Sequence, residues 1–210
     1  INRSPPKTQS ALIEAMQEDQ VTIGKHTFKL PDPFFVMATQ NPIESEGVYT
    51  LPEAQVDRFL FKILLDYPQE NDEKRIMEEN VTFKKFEDFK LKPIITADKI
   101  ISLQKLTHRI YLDERIKKYI LEIVKTSRQK NFKNGDYIEL GASPRASIAL
   151  FIASKAEALI QGRNFVIPAD VQNVAHDSLR HRIFLSYKAQ AEGISTDTII
   201  DDILKSVSSP

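Results

Sequence analysis

Three settings in this 210-residue sequence could do chemistry, and each presents an amide or a guanidinium. Asn41 ends the run Phe34-Phe35-Val36-Met37-Ala38-Thr39-Gln40 and precedes Pro42. An uncharged amide at the tip of an apolar run can orient a water or touch a phosphate oxygen without titrating. Taken alone, Asn41 is more simply a turn opener, because Asn-Pro favours turns. Arg58 closes the short helical pattern that begins at Pro52. Its guanidinium either complements the helix dipole, contributing about 0.3–1 kcal/mol, or reaches a phosphate on a neighbouring subunit. Taken alone, the dipole role is the simpler one. Arg145 lies in Gly141-Ala142-Ser143-Pro144-Arg145, with Ser at an N-cap, Pro at the first helical position and Arg at the second. A cation there opposes the macrodipole. Arginine beside free helix N–H groups makes an anion site, and a salt bridge to a nearby carboxylate explains it equally well.

Composition excludes other chemistries. With no Cys, the chain has no disulfide framework, no Cys-ligated zinc and no thiol nucleophile. His26, His108, His176 and His181 share no metal spacing, since the last pair misses the i, i+4 pattern. There is no Gly-x-Ser-x-Gly. The 29 Lys+Arg cancel the 29 Asp+Glu, so nucleic acid is not expected as a partner, although a local basic patch stays open. No apolar run reaches the roughly 18–20 residues of a membrane span. The length fits one large domain or two small ones. The chain opens Ile1-Asn2-Arg3 without Met or signal-peptide pattern, and is expected to be a piece of a longer protein.

The elements that must position these residues fall into two stretches. Ser4 as N-cap and Pro5 at the first helical position open a helix to about residue 18, striped by Ala11, Leu12, Ala15 and Met16. Val21–Ile23 and His26–Leu30 flank Gly24-Lys25 as a type II′ hairpin. The apolar runs 34–39 and 59–65 are predicted to be parallel strands buried on both faces, with a loop through Gly47 and a short helix between them. After Tyr67-Pro68 helical patterns take over, at about 70–80, 96–106, 112–130, 143–161, 168–182 and 195–206. Phe83–Pro93 is a connector and Asn131–Gly141 a polar loop. Gly162 fits the C′ position of the fourth of these helices.

The order of these motifs carries more than any one of them. Ile1-Asn2-Arg3-Ser4-Pro5-Pro6-Lys7-Thr8-Gln9-Ser10-Ala11-Leu12 resembles the segment after the Walker B acidic pair in the MoxR family of AAA+ ATPases. Ala38-Thr39-Gln40-Asn41-Pro42-Ile43-Glu44 resembles that family's sensor 1, Leu51–Phe59 its arginine-finger helix, and Gly141–Arg145 its sensor 2. The likeness continues through Gly162-Arg163 and His181-Arg182.

The resemblance implies an α/β fold: the C-terminal part of an AAA+ core over residues 1–67, then an all-helical lid over 68–210. It implies Asn41 as the residue orienting the attacking water, Arg58 as a finger reaching across a subunit interface, and Arg145 as a phosphate contact of the lid. It further implies ATP and Mg2+ as cofactors, a homo-oligomeric and often hexameric ring, protein clients, and a cytoplasmic, chaperone-like role. The chain departs from the family in having no Gly-x-x-x-x-Gly-Lys-[Ser/Thr] and no Walker B acids, which the resemblance places just upstream of Ile1. Two arginines and an asparagine do not replace a backbone phosphate cradle, so this chain alone is expected to be inactive. A helical interaction scaffold without nucleotide chemistry, or a DNA-dependent relative, are the competing classes.

Overall fold

The structure, a computed structural model, describes residues 1–41, 49, 51–80 and 91–210. The loop expected through Gly47 and most of the connector Phe83–Pro93 lie outside the described residues. Helix α1 (Pro6–Glu18) leads into strands β1 (Gln20–Ile23) and β2 (His26–Lys29). These pair antiparallel, with Val21 opposite Phe28 and Ile23 opposite His26. Gly24 takes φ +65°, as the first central residue of a II′ turn requires. The Thr22 hydroxyl donates to Glu14 Oε1 at 2.6 Å and ties the hairpin to α1. The N-cap of α1 is Pro5 rather than Ser4, one residue later than the sequence suggests. Ser4 is instead held in a turn, its amide donating to the Ile1 carbonyl at 3.0 Å.

Neither apolar run forms a strand. Residues 34–39 carry no ladder, and Phe35 and Met37 are 79% and 81% exposed. A strand buried on both faces needs neighbouring strands to pair with; among the described residues no strand pairs with this run, and the Ile1 amino group donates to its Thr39 carbonyl at 2.7 Å. Residues 59–65 fail for a different reason. The carbonyls of Phe59, Leu60 and Lys62 are taken by side chains from the far end of the chain, described below. Helix α2 (Glu53–Val56) precedes this run, and α3 (Glu70–Asn80) follows it.

The core lies in the C-terminal half. The elements of that half are α4 (Ala97–Arg109), α5 (Glu114–Gln129), β3 (Ile138–Leu140), α6 (Pro144–Ile160), α7 (Pro168–Leu179), β4 (Phe184–Leu185), α8 (Tyr187–Ala191) and α9 (Thr196–Ser206), of which α4 buries no residue. Ile116, Tyr119, Ile120, Ile123 and Val124 form the inner stripe of α5 at helical spacing. Ala146, Ala149, Leu150 and Ala153 do the same on α6, and their small size lets α7 pack closely with Val171 and Ala175. Ile199, Ile200 and Ile203 close the cluster from α9. Helix α6 ends in a Schellman cap: Arg163 N–H donates to the Ala158 carbonyl, Gly162 N–H to that of Leu159, and Gly162 sits at φ +74°. The expected polar loop 131–141 holds a 3-10 turn (Gly135–Tyr137) and then β3, which pairs antiparallel with β4. The helix expected to reach residue 182 stops at Leu179.

Candidate functional site

The site begins with the turn ahead of α6. A Cβ on Gly141 would meet the Ser127 carbonyl oxygen at 2.5 Å, so only glycine fits there. The Ala142 amide donates to Ser127 Oγ at 3.1 Å, and Arg128 Nε donates to the Ala142 carbonyl at 2.7 Å. This pins the chain against α5 and delivers Ser143 as N-cap, its hydroxyl oxygen accepting from the Arg145 amide at 3.1 Å. Pro144 holds the first helical position, as the sequence implies.

The anion beside Arg145 is a carboxylate of the protein itself. Asp57, the C-cap of α2, is buried. Its Oδ2 accepts from Ser143 Oγ at 2.8 Å and lies 3.6 Å from Arg145 Nη1. Its Oδ1 accepts from Arg182 Nε at 2.9 Å. Arg182 spends all five of its N–H donors on this junction. Nη2 donates to the Asp57 and Phe59 carbonyls at 3.0 and 2.7 Å, and Nη1 to the carbonyls of Leu60, at 3.1 Å, and Ser178. Burial pulls the Arg182 guanidinium below its ordinary range, and the hydrogen bond to Asp57 opposes that.

His181 grips the same segment. Its Nε2 lies 2.8 Å from the Phe59 carbonyl, which can only accept, so Nε2 carries the proton. Burial first, then the neighbouring Arg182 charge, pushes its pKa down to about 4. His181 is therefore neutral at pH 7. Arg180 donates to the Lys62 carbonyl and pairs with Asp177 and Asp197, and the Lys62 amide donates to the Asp177 carbonyl at 2.9 Å.

Of the three sequence-predicted residues, the structure brings one to a carboxylate of the protein itself. Arg145 pairs with Asp57, and Arg58 is its chain neighbour. Arg58 is half-buried, and its Nε is buried without a hydrogen-bond partner. Asn41 is exposed and is held from the N-terminal segment: Asn2 Nδ2 donates to its carbonyl at 3.2 Å. Buried Gln9 adds donations to the Ile1 and Tyr49 carbonyls at 3.3 and 3.1 Å. A groove of about 890 Å³ between α4, α5 and α6, lined by Gln104, Thr107, Leu121, Ile148, Phe151 and Lys155, includes none of the three.

Asp57 and Arg182 are the residues that sequence reasoning missed. A signal for Asp57 was present. A carboxylate at the C-terminal end of a helix and a guanidinium at the N-terminal end of another are each unfavourable alone. Two such misplaced charges of opposite sign are explained together if they meet.

Residues 1–61 match the model of the ATPase family associated with various cellular activities, and residues 133–203 match that of the AAA lid domain. The uncharacterised protein YeaC of Bacillus subtilis is 47% identical over 210 residues, covering all of this chain and 63% of that protein. Chaperone MoxR1 of Mycobacterium tuberculosis is 43% identical over 215 residues, covering all of this chain and 56% of the relative. A crystal structure of a candidate ATPase from Cytophaga hutchinsonii superposes with a TM-score of 0.89 at 44% identity, over all of this chain and 64% of that one. This chain thus spans between 56% and 64% of the length of these relatives. The core and lid matches, with 43% identity along the whole of this chain to chaperone MoxR1, place the chain in the MoxR family of AAA+ ATPases.

Proposed function

We propose that this chain is the phosphate-responding part of a ring-forming machine that couples ATP binding and hydrolysis to chaperone-like remodelling or maturation of partner proteins. What supports the reading is that Arg145 pairs with Asp57, the chain neighbour of Arg58, although Arg145 lies far from both in sequence. In this reading residues 1–67 are the partial core and 68–210 the lid. Asn41 orients the attacking water, Arg58 reaches the terminal phosphate of the neighbouring subunit, and Arg145 couples phosphate contact to the angle of the lid. The ring is taken as a hexamer of identical subunits acting on protein clients in the cytoplasm. No helix among the described residues is long and apolar enough to cross a membrane.

The residues present fit one part of the nucleotide. A guanidinium with a buried, unpartnered Nε and a second one at a helix N-terminus suit oxyanion contacts. They do not fit the rest. The sequence has no glycine-rich phosphate loop, and the described residues hold no group of three side chains suited to a metal ion. Holding Mg2+ and the inner phosphates is therefore assigned to residues upstream of this chain. When bound, ATP with Mg2+ supplies the phosphoryl group. The residues of this chain contribute charge and orientation only.

The test uses the full-length protein. Arg58→Ala is expected to lower ATP turnover by roughly 10³-fold or more, while affinity for a non-hydrolysable ATP analogue is retained. Arg145→Ala is expected to weaken that affinity. Full turnover in the first variant, or unchanged affinity in the second, contradicts the assignment.

A further inference from the structure

Asp57 joins the two arginines through bonds of very different strength. Toward Arg182 the contact is closed: that side chain is 3% exposed and all five of its donors are satisfied. Removing one partner of such a pair leaves a buried charge uncompensated, so the pair does not open readily. Toward Arg145 the contact is open. The pair spans 3.6 Å, the Arg145 side chain is 50% exposed, and one Nη1 contact to Asp57 is its ion pair here. Exposed pairs at this distance are weak and screened. Ser143 stands between them, donating to Asp57 Oδ2 while its oxygen caps α6. The N-terminus of α6 thus already has an anion before it, and that anion is anchored to the turn that carries Arg58.

We infer that Asp57 is a positioning residue with two separable duties: it fixes the Arg58 turn to Arg182, and it parks Arg145 as an internal stand-in for phosphate until a nucleotide phosphate takes that arginine over. This rests on the proposed reading of Arg58 and Arg145 as phosphate contacts. The exchange follows from the two halves of the junction. An incoming oxyanion competes with Asp57 for the half-exposed guanidinium and gains a stronger, charge-assisted contact. The buried Arg182 pair cannot follow, so the Arg58 turn stays where it is while the Arg145 side chain swings away from Asp57. Asp57 itself is the reporter of occupancy: when Arg145 leaves, its Oδ2 keeps only the Ser143 hydroxyl.

Asp57→Asn in the full-length protein tests this, because it keeps an oxygen for the Ser143 hydroxyl but removes the charge that competes with phosphate. Affinity for a non-hydrolysable ATP analogue is expected to tighten roughly two- to fivefold, the scale of an exposed ion pair. Turnover is expected to fall on the order of 10²-fold as the Arg58 turn loses its anchor. A residue needed only for folding would weaken both together. In an Arg145→Ala background the tightening is expected to vanish. Weaker binding in Asp57→Asn, or a tightening that survives without Arg145, overturns the inference. Unchanged affinity in Arg145→Ala alone instead contradicts the proposed role of Arg145.

A second measurement needs no variant. Hydrogen exchange of the full-length protein follows the amides of residues 58–62 with and without saturating ATP analogue. Their protection is expected to hold in both states, because the Lys62 bond to Asp177 and the Arg182 clamp persist. Loss of protection on adding the analogue overturns the separation of the two duties.

Discussion

Residues 34–39 and 59–65, on one side, and the α5–α9 helices, on the other, treat the same kind of side chain in opposite ways. In the helical half, Ile123, Leu150, Val171 and Ile199 are sealed from water. In the first half, Phe35, Met37, Ile63 and Leu65 face it. The difference is one of partners rather than of composition. Helices satisfy their own backbone hydrogen bonds and need only one apolar stripe covered, which α5, α6, α7 and α9 do for one another. A strand buried on both faces satisfies nothing alone. The relatives are longer than this chain, and the exposed runs are the kind of surface on which further strands would pair.

Substitution should separate the halves sharply. Leu150→Ala, in the sealed core, is expected to destabilise by about 2–5 kcal/mol. Met37→Ala is expected to stay within about 0.5 kcal/mol, because there is no buried contact to lose. Denaturant unfolding of both variants checks this. Comparable losses would mean that the first half is packed after all.

A smaller effect tests the junction between the halves. An unfolded imidazole takes up its proton near pH 6.5, and folded His181 does so only near pH 4. Between these values the unfolded chain binds more protons, so stability is full above about pH 6.5 and falls as the pH drops toward 4. The whole effect is about 3 kcal/mol. His181→Gln keeps a donor for the Phe59 carbonyl and cannot titrate. Urea unfolding at pH 7 and pH 4.5 should show a smaller loss in that variant, whereas an equal loss would place the sensitivity elsewhere.

How much of this was legible in the sequence follows the same division. Helices α1 and α3 to α7, along with α9, emerged from apolar spacing, Pro at first turns and Gly162, because a helix is specified by its own residues. The hairpin was readable from Gly24 for the same reason. The two apolar runs were misread because their state depends on what lies beside them, which no local pattern records. Side chains from Arg180, His181 and Arg182 that claim the carbonyls of residues 59–62 lie more than a hundred positions away. The strand pair β3–β4 was hidden because each strand is only two or three residues long.

Candidate chemistry was legible as isolated residues. Arg58 and Arg145 stood out by type and place, and the Ser143 cap was read correctly. That Arg145 and Arg182 share Asp57 was not read, since a long-range ion pair leaves no spacing in the sequence.

The central claim is that this chain carries groups that respond to a terminal phosphate and lacks the cradle that holds the nucleotide. Calorimetric titration of the 210-residue chain and of the full-length protein with the same non-hydrolysable ATP analogue tests it most directly. Tight binding by the full-length protein and no resolvable tight binding by the chain alone is the expected result. Submicromolar binding by the chain alone would contradict it.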